Sequence, residues 1–258
     1  MSPSSASDAL VRAVRADLAA HADPGRAPGM QAYMKSAMPY RGVPSPLQRQ
    51  IYRRLFAAHP LPDARAWRAA VLSLWRGAAF REERYAAIEL LQAKRYAAHQ
   101  TLDALDLFEE IVVDGAWWDT VDAVATHGLG ALLKKYPRPM RRTLLAWSRD
   151  PHLWKRRSAI ICQVGFKKDT DLELLYAAIE PNLADKDFFI RKAIGWALRA
   201  YAWTDAREVV RYVREHEHAL SGLSRREALK NVPSAAAGKA KAKARGKASK
   251  VTRTPSAQ

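Results

Sequence analysis

The sequence predicts an all-α fold, an α-solenoid of HEAT-like helix pairs, and three observations carry that reading. Strand signals are nearly absent, while long stretches of Ala, Leu, Arg and Glu set apolar residues three and four positions apart. Proline-bearing segments interrupt the chain after every one or two helix lengths. An apolar pair recurs at near-constant spacing: Ala87-Ile88, Ala123-Val124, Ala159-Ile160, Ala193-Ile194 and Ala228-Leu229 end 36, 36, 34 and 35 residues apart. Small-then-branched pairs are common in helices, so one match means little; regular recurrence is the signal.

Taken in chain order, "MSPSSASDALVRAVRADL" reads as a capped amphipathic helix. It lacks the apolar run of a secretory signal, and Asp8 and Asp17 fall where a transit peptide would avoid acid. "HADPGRAPG", "GVPSPLQ" and "HPLPDAR" then bound short helices, and Ile51, 37 residues before Ile88, can open the series. The units carrying the five pairs follow, separated in the second half by "KKYPRPM", "RDPHLW" and "IEPNLADKD". The repeats form one domain over residues 1–232. Residues 233–258, rich in Lys and Ala with no acid, cannot make a core and are expected to be a disordered tail.

Stacked repeats bring equivalent positions side by side. The residue before the small member of each pair is Ala86, Asp122, Ser158, Lys192 and Glu227; neighbouring register positions hold Tyr85, Arg157, Arg191 and Arg226, and Trp196 follows Ile194 by two. Within a slip of one residue, about 100° of helix rotation, Asp122, Arg157 and Trp196 would face one another across a groove.

Lys and Arg number 43 against 26 Asp and Glu, a net charge of +17. Seven of those cations lie in the tail, so the remainder still carries +10 and favours a polyanion, nucleic acid above all. One cysteine, Cys162, excludes an internal disulfide and any multi-cysteine metal site, and its apolar setting "AIICQVGF" reads as an inert buried thiol. No apolar run nears the roughly 20 residues a membrane helix needs. A cytoplasmic protein, held to the nucleoid through DNA, is expected.

Against that positive background "WWDTVD" (residues 117–122) concentrates two tryptophans and two carboxylates. Trp118 and Asp122, four apart, share a helix face, whereas Trp117 and Asp119 point elsewhere. Two readings stand: core tryptophans with Asp122 paired to an arginine, or an indole and a carboxylate presented together to a ligand.

"AYMK" (32–35), "WWDTVD", "WKRRSAI" (154–160), "FFIRKAIGWALRAYA" (188–202) and "LSRREALKN" (223–231) together resemble the AlkD-type DNA glycosylases, HEAT-like-repeat proteins of DNA alkylation repair, in order and approximate spacing over residues 10–232. The resemblance places the family's catalytic aspartate on Asp122, its sugar-flanking tryptophans on Trp118 and Trp196, its active-site arginine on Arg157 and its groove tyrosine on Tyr33. It implies a cofactor-free, monofunctional glycosylase, a monomer, that removes cationic N3- and N7-alkylated purines such as 3-methyladenine and 7-methylguanine from duplex DNA without flipping the base, leaving an abasic site. It says nothing of the tail.

Lys155, Arg156, Arg191, Lys192, Arg225 and Arg226 are expected to contact DNA phosphates along the concave face, and the tail to add affinity without sequence preference. "KKYPRPMRR" (134–142) reads as a loop cluster on an outer or end surface. His216 and His218 in "EHEH" are two apart, hence on different sides of a helix, and no metal site is expected. His127 could approach the groove or serve structurally. Lys192 is the lysine to suspect of Schiff-base chemistry. The competing class is a non-catalytic HEAT-like scaffold binding DNA or a protein, because a fold does not specify a chemistry.

Overall fold

The computed structural model describes residues 3–232, so the expected tail at 233–258 lies outside the described residues. Among the described residues there are helices and no strands, the all-α architecture of helical repeats that the sequence predicts. The described residues form two compact units that part between Tyr136 and Pro137.

The first unit contains α1 (Pro3–Ala20), α2 (Ala27–Met34), α3 (Ser45–Ala58), α4 (Ala64–Arg76), α5 (Arg81–Gln92), α6 (Leu105–Gly115), α7 (Trp118–Ala123) and α8 (Gly130–Lys135). One layer stacks α1 on α4 and α4 on α6; the other stacks α3 on α5 and α5 on α7. The second unit contains α9 (Pro137–Trp147), α10 (Leu153–Ile161), α11 (Leu172–Ile179), α12 (Phe188–Ala202), α13 (Ala206–Glu215) and α14 (Gly222–Leu229), with α10, α12 and α14 packed in succession.

The recurring pair falls on the second helix of each unit: α5, α7, α10, α12 and α14. Ala87, Ile88, Val124, Ala159, Ile160, Ala193, Ile194 and Ala228 are buried, which is why the register is visible in sequence. Ala123 is half-buried, and Leu229, in the last described helix, is exposed. Two of the punctuating segments cap helices, the side chains of Asp63 and Asp187 accepting from the free N–H groups of α4 and α12; Asp171, Asp205 and Ser221 do the same for α11, α13 and α14.

One segment departs from expectation. "KKYPRPMRR" is mostly helical: α8 runs to Lys135 and α9 begins at Pro137. Proline at the first helical position has no N–H to leave unpaired and a backbone angle already suited to a helix, so here it starts an element.

α7 and α8 belong to one helical run, because residues 124–129 between them form a π-helical stretch. Gly128 lies there against Phe108; a Cβ at this position would stand 2.4 Å from the Phe108 ring edge. Thr126 Oγ1 donates to the carbonyl of Asp122 at 2.8 Å. π-helical insertions leave backbone groups without their usual partners and recur at functional sites.

Candidate functional site

Trp118 and Asp122 lie on α7, one turn apart on one face and both half-buried. The chain enters α7 through Ala116 in a left-handed conformation, φ 35°, and an extended Trp117. Trp118 and the strongly exposed Tyr33 of α2 line one cavity of about 460 Å³, with Tyr40, Tyr52, Tyr85 and Asp119 also on its walls. The first unit thus joins the expected groove tyrosine to one of the two expected tryptophans.

Asp119, expected to point away from the Trp118 face, instead lines the same cavity as Trp118. Arg81 grips it from α5, with Nη2 donating to Oδ1 at 2.6 Å and Nε to Oδ2 at 3.1 Å, and the Tyr85 hydroxyl also donates to Oδ2 at 2.6 Å. Both charged side chains are nearly buried, 8% and 10% exposed. Burial works against the Arg81 cation, yet the hydrogen bonds and charge of Asp119 outweigh it and hold the guanidinium above its ordinary pKa. Sequence reasoning missed Arg81 and Tyr85. A repeat of about 36 residues sets 81–85 beside 117–121, so the register contained a signal, but periodicity does not say which polar groups meet.

In the second unit Arg157 is buried on α10 and donates through Nη1 to the carbonyl of Phe189 at 2.6 Å. Its guanidinium stands 6.0 Å from the Trp196 ring centre and 5.9 Å from that of Phe189. Arg157 and Trp196, 39 positions apart, are therefore neighbours. Trp196 follows Gly195, which touches α14 so closely that a Cβ would stand 2.4 Å from Glu227 Cβ.

The expected phosphate-binding cations are largely engaged with the protein. Lys155 pairs with Asp150 at 2.6 Å, Arg156 with Asp185 at 2.9 Å, Lys192 with Glu227 at 2.7 Å and Arg225 with Glu217 at 3.2 Å. Arg191 Nε donates to the Asp185 carbonyl at 2.9 Å, and Arg226 is exposed. Hydrogen bonds from Lys192 hold Glu227 below the usual carboxylate range, with Arg199 adding to the effect.

Among the described residues no group of three or more His, Cys, Asp or Glu is placed to hold a metal ion. His216 instead stacks on Tyr212, ring centres 4.1 Å apart, and donates through Nδ1 to its carbonyl at 2.9 Å. His127 is exposed within the π-helical stretch. Cys162 is buried and its thiol is pushed up to about 12 by burial, which leaves it protonated and unreactive. No described helix is long and apolar enough to cross a membrane.

The profile of the family described as DNA alkylation repair enzyme matches residues 14–232. The chain belongs to the DNA alkylation repair enzyme family. This family membership implies DNA as the partner and extends over both compact units. Consistent with the family fold, a solved structure described as a predicted DNA alkylation repair enzyme from Enterococcus faecalis superposes with a TM-score of 0.75 at 28% identity, covering 82% of this chain and 97% of that one. A comparison with curated protein sequences gives no match.

Proposed function

We propose that the protein is a monofunctional DNA glycosylase that hydrolyses the N-glycosidic bond of cationic N3- and N7-alkylated purines in duplex DNA, leaving an abasic site. The observation that carries the reading is the placement of Asp122 one turn from Trp118, in a basic chain of a DNA alkylation repair family.

The chemistry follows from charge. An alkylated purine is already positive, so when the bond from its nitrogen to C1′ breaks, the electron pair neutralises the base and no general acid is needed. Positive charge then develops on the deoxyribose. A carboxylate such as Asp122 at about 4 Å and an effective dielectric near 20 stabilises it by roughly 4 kcal/mol, on the order of a thousandfold in rate if realised only in the transition state. Trp118 and Trp196 each add about 0.5–2 kcal/mol by presenting ring faces to the cation. Water then adds at C1′, aligned by Asp122. Arg157 is assigned to a backbone phosphate beside the lesion, which requires its guanidinium, buried and bonded to the Phe189 carbonyl here, to become accessible when DNA binds. Unmodified purines leave far less readily, so lability supplies selectivity without a pocket for a flipped base, unlike the common strategy of base-modifying enzymes.

Hydrolysis is favoured over lyase chemistry because the family resemblance supplies no lysine in the position of a Schiff-base nucleophile, and Lys192, the one to suspect, is engaged with Glu227 at 2.7 Å. Tyr33 and the cations Lys155, Arg156, Arg191, Lys192, Arg225 and Arg226 are assigned to the DNA backbone, which requires those with carboxylate partners to exchange or share them with phosphate.

The test incubates methylated duplex DNA with the wild type and with Asp122→Asn and measures free 3-methyladenine and 7-methylguanine. Release by the wild type, reduced about a thousandfold by the substitution, is expected. Binding of DNA without release would favour the non-catalytic scaffold, and equal release by both proteins would remove Asp122 from the mechanism.

A further inference from the structure

The turn that carries Trp118 and Asp122 is flanked by irregular backbone on both sides. The residue before α7 is extended and provides no side-chain cap, the one before that is left-handed, and π-helical geometry begins at Val124, two residues after Asp122. Asp119, in the first turn, is by contrast held on both carboxylate oxygens from α5.

The proton order in this cluster is determined. Burial first, and then the negative charge of Asp119, push the Tyr85 hydroxyl above its ordinary range, so it keeps its proton and donates a hydrogen bond to Asp119. Tyr85 and Tyr40 stand 2.7 Å apart, and with the Tyr85 proton committed, Tyr40 must be the donor of that bond. Arg81 Nε donates to the Tyr85 oxygen as well, at 3.2 Å. The result is a directed chain from Tyr40 through Tyr85 to Asp119, closed by Arg81, that ties the segment before α3 and the start of α5 to the start of α7.

We propose that Asp119, clamped by Arg81 and Tyr85, is a positioning residue that sets where the Trp118 ring and the Asp122 carboxylate stand. The inference rests on the glycosylase reading for its consequence in rate, although the positioning itself is a property of the fold. A displacement of about 1 Å at a reacting group can cost a hundredfold in rate. Removing the clamp should therefore slow the chemical step and leave general affinity for DNA unchanged.

The experiment compares wild type, Asp119→Asn and Tyr85→Phe, each also combined with Asp122→Asn. It measures single-turnover release of alkylpurine, affinity for unmodified duplex, and the fluorine resonance of Trp118 in protein labelled with 6-fluorotryptophan, assigned through Trp118→Phe. Expected are a ~10–100-fold slower release for Asp119→Asn, a smaller loss for Tyr85→Phe, duplex affinity within about twofold, a shifted Trp118 resonance with that of the exposed Trp203 unmoved, and in the Asp122→Asn background only the smaller further loss that displacement of Trp118 causes. A full rate for Asp119→Asn, or a loss that multiplies with that of Asp122→Asn, overturns the proposal. If wild type releases no base, the glycosylase reading fails and the Trp118 resonance decides alone: a shift supports positioning, an unmoved resonance overturns it. If Asp119→Asn does not fold, Tyr85→Phe, which keeps the ring volume, carries the same comparison.

Discussion

Replacing Glu82 with Gln probes the segment that brings Tyr40 to the cavity. Glu82 is fully buried at the start of α5, and its Oε1 accepts from the backbone N–H groups of Arg41 at 3.0 Å, Gly42 at 2.9 Å and Val43 at 3.2 Å, with Arg41 N–H shared with Oε2 at 3.0 Å. Gly42 adopts φ 86°, and a Cβ there would stand 2.1 Å from the Asp23 carbonyl, so the segment has no freedom to turn its N–H groups toward other acceptors. A bond to a charged acceptor contributes about 1.5–3 kcal/mol and a neutral one about 0.5–1.5, so neutralising the acceptor of three such bonds costs about 1 kcal/mol each, roughly 3 in total. The new amide also turns a donor toward the Arg41 N–H. For a chain of this size each kcal/mol lowers Tm by about 2–4 °C, so a fall of about 6–12 °C is expected. Thermal unfolding followed by circular dichroism at fixed pH measures it. A Tm within about 2 °C of wild type would refute the reasoning and mean that water or a local rearrangement satisfies these N–H groups.

Two further outcomes follow from the packing and charge of the second unit. Gly195→Ala should lower Tm, because overpacking against Glu227 and Ser224 costs about 1–3 kcal/mol while the better helix propensity of alanine returns only about 1; Gly29→Ala, with open space around its Cβ position, should not lower it, and equal shifts in the two melts would show that the α12–α14 contact is not limiting. Since Lys192 and Arg199 hold Glu227 below the usual carboxylate range, this cluster stabilises the fold fully above the unfolded-state glutamate pKa, and the contribution is lost as pH falls through the lower folded-state value; Lys192→Met should flatten that acid limb in a pH series of urea midpoints, and an unchanged limb would contradict it.

The helical class and the repeat register were legible in one sequence because burial recurs wherever each second helix packs on its neighbours, and the chemistry of burial is written in residue type. Ala87, Ala159, Ala193 and Ala228 are buried for that reason. "KKYPRPMRR" misled because two prolines read as a break, although a proline at a helix start is compatible with the helix. The π-helical stretch after Asp122 left no mark in the pattern, since Val124, Ala125 and Leu129 keep apolar positions through it and Gly128 is fitted to Phe108.

The sequence by itself determined the class, the family motifs and the sharing of one helix face by Trp118 and Asp122, all of which depend on local periodicity and residue identity. The repeat register also placed Arg157 near Trp196, as found; only the tertiary structure decided that Asp119 is clamped by Arg81 and Tyr85 and that Lys155, Arg156, Lys192 and Arg225 already have carboxylate partners. The physical reason is range. Apolar burial averages over a whole face and survives as a pattern, whereas a hydrogen bond or ion pair depends on about an ångström of geometry between residues a full repeat apart, which spacing along the chain does not encode.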